Sequence, residues 1–121
     1  MRMILLLVAA CATLACATAP RYPDVAGSAA PEIATAEQAI ANAVSAGADS
    51  LAPEPLSAAR ENLERARVEQ QANRESRAII AARLARADAE HATLTARIRA
   101  AERARSRADA EVRAIPPGGR R

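Results

Sequence analysis

The sequence predicts an all-α fold: a helical hairpin or small antiparallel three-helix bundle with one long C-terminal helix and coiled-coil-like packing, preceded by a cleavable signal helix. Three observations predict it. Alanine dominates the composition and all 17 basic residues are arginine, and both residue types are cheap to fix in a helix. Apolar residues recur at alternating spacings of three and four, the period of a packed helix. Glycine and proline are confined to a few positions that would separate helices.

The amino terminus has the order of a bacterial export signal. Arg2 supplies an early positive charge, an apolar stretch follows, and small residues lead to a cysteine. Thr13, Leu14 and Ala15 precede Cys16 as the residues of a lipobox precede the cysteine that lipoprotein signal peptidase recognises. We therefore predict a signal peptide over 1–15 and a covalent diacylglycerol and N-acyl lipid, such as palmitate, on Cys16.

Two alternatives to this assignment stay open. Cys11 also follows a lipobox-like run, but cleavage there would leave a leader shorter than the usual hydrophobic region requires. An uncleaved membrane helix from Met3 to Ala19 is the other alternative, near the lower limit of the roughly 20 residues that span a bilayer. Both cysteines of the chain lie in this region, so we expect no disulfide in the mature domain.

The mature chain is predicted to begin with a lipidated flexible tether over 16–30, rich in proline and small residues. An alanine-rich helical domain over 31–114 follows, with Pro31 in the first turn of its first helix. One face of that helix carries five residues at three-four spacing: Ile33, Ala36, Ile40, Ala43 and Gly47. Val44 widens this stripe. Gly47 offers a stop.

The second and third helices are predicted from their own apolar seams. The seam of the second is Leu56, Ala59, Leu63 and Ala66. A tight turn is expected near Asn73, although one continuous helix stays open because no Gly or Pro enforces a break. The third helix runs from about Ser76 to Ala114, long enough to overhang its partners, and a disordered tail over 115–121 follows. Its predicted core seam is Ile80, Leu84, Ala87, His91, Leu94, Ile98 and Ala101.

Several stretches carry a resemblance to a known family: 36–40, 46–48, 51–56 with 59–66, and the alanine-rich 81–90. Together they resemble the DUF4398 family of bacterial envelope lipoproteins, which lacks an assigned activity. Leu51 stands where the family often has an aromatic residue, and the family's glycine-containing turn near Asn73 is absent. The resemblance implies a cell-envelope setting facing the periplasm, and Ala17 rather than Asp after Cys16, by resemblance to enterobacterial lipoproteins, implies passage to the outer membrane. Some members precede an OmpA-like peptidoglycan-binding domain, which makes peptidoglycan a possible partner.

Catalytic chemistry is not expected. His91 is the only histidine, with Asp88 on the same helical face, and no nucleophile, second base or glycine-rich loop accompanies them. We therefore predict no enzyme activity, no catalytic residues, no metal, no cofactor and no small-molecule substrate. Nucleic-acid binding is not expected either, because 14 acidic residues are interleaved with the arginines and hold the net charge to +3.

The predicted function is therefore that of a non-catalytic interaction or structural module of the cell envelope, held at the membrane by its lipid. We expect an envelope protein partner or self-association. The alternative is a peptidoglycan- or anionic-lipid-binding protein that uses the arginine-rich end of the third helix. Its arginines are Arg97, Arg99, Arg103, Arg105, Arg107 and Arg113.

Overall fold

The computed structural model describes residues 25–115, in which four helices are joined by short turns. They are α1 (Ala29–Ser45), α2 (Ala48–Leu51), α3 (Pro53–Gln71) and α4 (Glu75–Ala114). The predicted all-α class and the long C-terminal helix are confirmed. The predicted signal peptide over 1–15, the tether as far as residue 24 and the tail beyond Ile115 lie outside the described residues.

The three long helices form an up-down-up bundle. Glu75 at the start of α4 lies beside Ala29 at the start of α1, with the Ala29 N–H donating to Glu75 Oε2 at 2.7 Å, so α1 and α4 run parallel. Helix α3 runs antiparallel to both. A short turn joins its end to the start of α4, and Asn62, well before that turn, donates to Asp88 Oδ2, well after it, at 2.8 Å. Helix α4 is packed against both of the others, which contact each other less.

The predicted seams of α1 and α3 form the core largely as expected. All four seam residues of α3 are buried, as are Ile33, Ala36 and Ala43 of α1. Ile40 is half-buried and touches both halves of the core, one near each end of the bundle. Val44 does not widen this stripe, since it is 39% exposed.

The predicted core face of α4 is wrong. The residues that face the bundle are almost all alanines: Ala78, Ile79, Ala81, Ala82, Ala85, Ala89, Ala92 and Ala96. Of the predicted seam, Ile80 is half-buried, and the rest is exposed: Leu84, Ala87, His91, Leu94, Ile98 and Ala101.

Helix α4 thus carries two apolar stripes with the same three-four spacing. At 100° per residue, the stripe centred on Ala85 and Ala89 lies about 160° from the one centred on Leu84 and Leu94. The alanine stripe is preferred inside because small side chains let helix axes approach closely. Larger residues on α1 and α3, such as Ile33 and Leu56, then fill the space between the helices.

The two turns of the bundle depend on left-handed residues. Asn73 has φ 56° between α3 and α4, a conformation that asparagine tolerates better than most residues. The predicted turn near Asn73 is confirmed, and the continuous helix is excluded. Gly47 has φ 81° and opens α2, a short helix that directly follows the predicted stop of the first helix.

The segment 25–30 belongs to the folded domain rather than to the tether. Helix α1 begins at Ala29, two residues before the predicted Pro31. Ala29 is fully buried, and Val25 packs partly buried against the core while its N–H donates to Ser76 Oγ at 3.3 Å. Ser28 does not cap α1 with its side chain. Glu75 accepts from the Ala29 N–H instead, satisfying one donor at the helix start.

Candidate functional site

The predicted lipid-attachment site lies outside the described residues. This holds for Cys16, for the alternative Cys11, and for the recognition residues Thr13, Leu14 and Ala15. The first described residue, Val25, is held beside the start of α4 by its hydrogen bond to Ser76. Cys16 precedes Val25 by nine residues in the sequence.

The outer face of α4 is the most distinctive surface of the described domain. We define the outer seam as its three-four register from Ile80 to Val112: Ile80, Leu84, Ala87, His91, Leu94, Ile98, Ala101, Arg105, Ala108 and Val112. Leu94 and Ile98 are each 59% exposed, and Val112 is 68% exposed. Every large apolar residue exposed on α4 lies on this register. The apolar exposure is therefore organised as one stripe rather than scattered.

Helix α4 extends well beyond the bundle. Ala96 is its last buried residue, and residues 97–114 are all exposed. At 1.5 Å per residue this overhang is about 27 Å long. Its base is tied to the bundle by Arg99, whose Nη1 donates to the Leu51 carbonyl at 2.5 Å at the end of α2. The overhang expected from the sequence is present, and it points away from the end that holds Val25.

The overhang carries an excess of positive charge. It contains all six arginines that the sequence singled out, against the acidic residues Glu102, Asp109 and Glu111. Arg99, Arg103 and Arg107 follow one another four residues apart and line one shallow exposed surface with Glu102 and Ser106. This row of guanidinium groups can contact anionic groups.

Polar contacts link the three long helices of the bundle. Glu32 on α1 accepts from both Arg83 Nε and Nη2, at 3.0 and 2.8 Å. Arg67 on α3 donates to Glu37 on α1 at 2.8 Å, and this hydrogen bond is the main reason why the pKa of Arg67 lies even higher than usual. These bonds are partly exposed and individually weak. They add to the close packing of the alanine stripe, which determines the face of α4 that turns outward.

An open groove lies between α1 and α4. Its volume is about 840 Å³, and polar side chains such as Gln38, Asn42 and Glu90 line much of it. Leu94 of the outer seam forms part of its edge. The groove is open and holds no buried polar group, so it lacks the enclosed polar anchors of a small-molecule site.

The chemistry considered around His91 does not assemble. His91 is exposed on the outer seam, and Asp88 Oδ2 accepts from Asn62. Between residues 25 and 115, no three His, Cys, Asp or Glu side chains are grouped so that they could hold a metal ion. Over the same range, no helix is both long and apolar enough to cross a bilayer.

Comparison with known proteins places the chain in one family. No curated protein and no solved structure matches it significantly. A family model described as "Domain of unknown function (DUF4398)" matches residues 31–108, which is most of α1 through the first part of the overhang. The chain therefore belongs to the DUF4398 family, as its resemblance in sequence indicated.

Proposed function

We propose that this protein is a non-catalytic, lipid-anchored module of the bacterial cell envelope that presents α4 to another protein chain. The observation that carries the proposal is the exposed outer seam. An apolar stripe of this length on a helix that also extends beyond its own bundle is typical of a protein interaction surface. The protein would face the periplasm, anchored at the outer membrane.

The lipid anchor is supported by the lipobox-like run that ends at Cys16. Val25 lies at the end of the bundle opposite to the overhang. A lipid on Cys16 would therefore hold that end near the membrane and direct the overhang away from it. One acyl chain gives only reversible membrane binding, whereas diacylglycerol and an N-acyl chain together anchor a protein stably.

Substitution of Cys16 tests the anchor. Cys16→Ser is expected to abolish incorporation of labelled palmitate and to move the protein out of the outer-membrane fraction after cell fractionation. Cys11→Ser is the matched control, and it should remain labelled and membrane-bound. Palmitate retained by Cys16→Ser and lost by Cys11→Ser would instead assign the anchor to Cys11.

A second candidate function is binding to peptidoglycan or to anionic lipid head groups. The observation in its favour is the exposed row of Arg99, Arg103 and Arg107 on the overhang. Clustered cationic side chains on an exposed helix attract anionic surfaces, each adding about 1 kcal/mol near the surface at most. Interleaved acidic residues reduce this attraction, so we rank this candidate second.

Retention on purified surfaces separates the two candidates. If the second is correct, the detergent-solubilised chain should be retained on purified sacculi or on beads coated with phosphatidylglycerol. Retention should fall between low and moderate salt. Arg103→Gln with Arg107→Gln should weaken it, whereas Gln38→Ala, on α1, should not. Equal retention of both variants, or equal binding to phosphatidylcholine beads, would contradict a role for the arginine row.

A further inference from the structure

The outer seam has the pattern of a coiled-coil interface that lacks its partner. With Leu84 as position a of a heptad, the a positions of α4 are Leu84, His91, Ile98, Arg105 and Val112. The d positions are Ile80, Ala87, Leu94, Ala101 and Ala108. This register persists for more than four heptads, through the bundle and along the overhang. Such persistence is typical of a helix that pairs with a second helix along its length.

We propose that the outer seam binds a second copy of this chain, so that two α4 helices form a parallel, in-register coiled coil. This inference rests on the proposed function, because it identifies the protein chain to which α4 is presented. In a parallel pair, Leu84 and Ile98 of one copy meet the same residues of the other. Leucine and isoleucine are then buried against each other. In an antiparallel pair, a positions would meet d positions, most of which are alanine.

The charges beside the seam favour a second copy in the parallel orientation. In a parallel pair, position g of one helix faces position e of the next heptad in the partner. Arg97 is at g, and Glu102, five residues later, is at the matching e position. Neither makes an ion pair within residues 25–115. The pairing therefore places Arg97 of each copy against Glu102 of the other without breaking an existing salt bridge.

The other e and g positions are also compatible with the parallel orientation. Arg83 and Asp88 occupy the equivalent g and e positions two heptads earlier, where they already bond Glu32 and Asn62 of their own chain, and no g position meets an e position of like charge in this register. An antiparallel pair would instead bring e positions together. Asp88, Glu102 and Asp109 would then face one another as like charges, which is unfavourable.

The length of the seam is sufficient for a stable dimer. Positions a, d, e and g between Ile80 and Val112 amount to about 20 residues on each copy, the number that standard-size interfaces use, and of these only Ala81 is buried in the bundle. Neither α1 nor α3 covers the a and d positions, because both pack on the alanine stripe about 160° away. The parallel orientation also places both Val25 residues at one end, as two lipid anchors in one membrane require.

His91 and Arg105 are the two polar residues that this interface must accommodate at a positions, and Arg105 is the charged one. A charged residue at one a position lowers the stability of a coiled coil but restricts its register and the number of strands. Arg105 lies in the overhang and is fully exposed, so its guanidinium can reach water beyond the interface while its aliphatic part packs. We expect Arg105→Leu to strengthen self-association.

Sedimentation of the full-length chain in non-ionic detergent tests the dimer. The wild type should sediment as a dimer at micromolar concentration, and Leu94→Glu with Ile98→Glu should be monomeric with unchanged far-ultraviolet helicity. Ala100→Glu with Ala110→Glu is the matched control, because it adds the same two charges at exposed positions off the seam; it should remain dimeric. A monomeric wild type, or a dimer that survives the double substitution, overturns the proposal.

Charge reversal tests the orientation. Arg97→Glu or Glu102→Arg alone should weaken the dimer about tenfold, because each puts two pairs of like charges across the interface. The two substitutions together should restore wild-type affinity, which only the parallel register predicts, since these residues are five apart and do not pair within one helix. Failure of the double variant to restore affinity overturns the parallel arrangement. Incorporation of labelled palmitate tests the lipid anchor separately. A chain that incorporates palmitate but is monomeric would therefore refute the dimer and leave the proposed anchor standing.

Discussion

Leu56→Ala is expected to lower the free energy of unfolding by about 3 kcal/mol, within the range measured for buried leucines. Leu56 is 1% exposed and is one of the two largest fully buried side chains of the described domain. Its neighbours in the same half of the core are mostly alanines, including Ala43, Ala92 and Ala96. Alanines have no side-chain freedom with which to fill the cavity. The loss is therefore large against a typical total of about 5 to 15 kcal/mol.

Urea unfolding of the full-length chain, followed by circular dichroism in non-ionic detergent, measures this loss. All variants are compared at one chain concentration, because self-association raises apparent stability. Val68→Ala is the control on the same helix. Val68 is 49% exposed and lies off the outer seam, so its substitution should change stability by no more than about 0.5 kcal/mol. Equal losses for the two variants would contradict the assigned core.

Helix α3 shows what the sequence can predict. Its only continuous apolar face is Leu56, Ala59, Leu63 and Ala66, and charged or polar residues occupy most of the rest. With a single stripe, the period alone determines which face is buried. The end of α3 was less certain, because neither Gly nor Pro marks it. Asn73 supplies the left-handed residue there, which asparagine does at lower cost than other non-glycine residues.

Helix α4 shows where prediction from the sequence fails. It carries two stripes of equal spacing, and hydrophobicity favours the one with leucine and isoleucine. The alanine stripe is buried instead, because the bundle needs close approach of three helix axes, and the facing surfaces of α1 and α3 already supply Ile33, Leu56 and Leu63. Periodicity identifies both stripes but does not rank them. The shape of the facing helices decides, and that is tertiary information.

The start of the domain was not predicted from the sequence, because it too depends on tertiary contacts. Pro20, Pro23 and Gly27 make the stretch before α1 read as a linker. Val25 and Ala29 are nevertheless held by Ser76 and Glu75, some 50 residues later in the chain. No local signal marks such a long-range hydrogen bond. Helix α2 was missed because a four-residue helix has too few positions to show a period.

The sequence therefore identified the residues of the candidate site but assigned them to the core instead of to the surface. The sequence singled out Ile80, Leu84, Leu94 and Ile98 as one seam and placed that seam inside the bundle. Once α1 and α3 are seen to occupy the opposite face, the same spacing describes an exposed stripe. Its regularity then indicates a surface that pairs with another helix, because an exposed face without a partner has no reason to keep apolar residues in register.

Ala89→Leu is expected to destabilise the protein strongly, whereas Ala87→Leu is not. Ala89 is fully buried, so three added carbons would force α4 away from its neighbours, at a cost of about 2 to 3 kcal/mol. For a domain of this size, that corresponds to a fall in Tm of about 10 to 15 °C. Ala87 is exposed on the outer seam. Leucine there should leave the fold intact and strengthen self-association.

Thermal melting and sedimentation of both variants distinguish the two faces of α4, since the substitutions are identical and the positions are two residues apart on one helix. Because helix propensity differs little between alanine and leucine, any large difference reports the surroundings of each position. A fall in Tm for Ala87→Leu with none for Ala89→Leu would mean that the leucine stripe is the core. The opposite result, with a tighter dimer for Ala87→Leu, would support both the alanine core and the pairing of α4 helices, since only a packed interface benefits from the larger side chain.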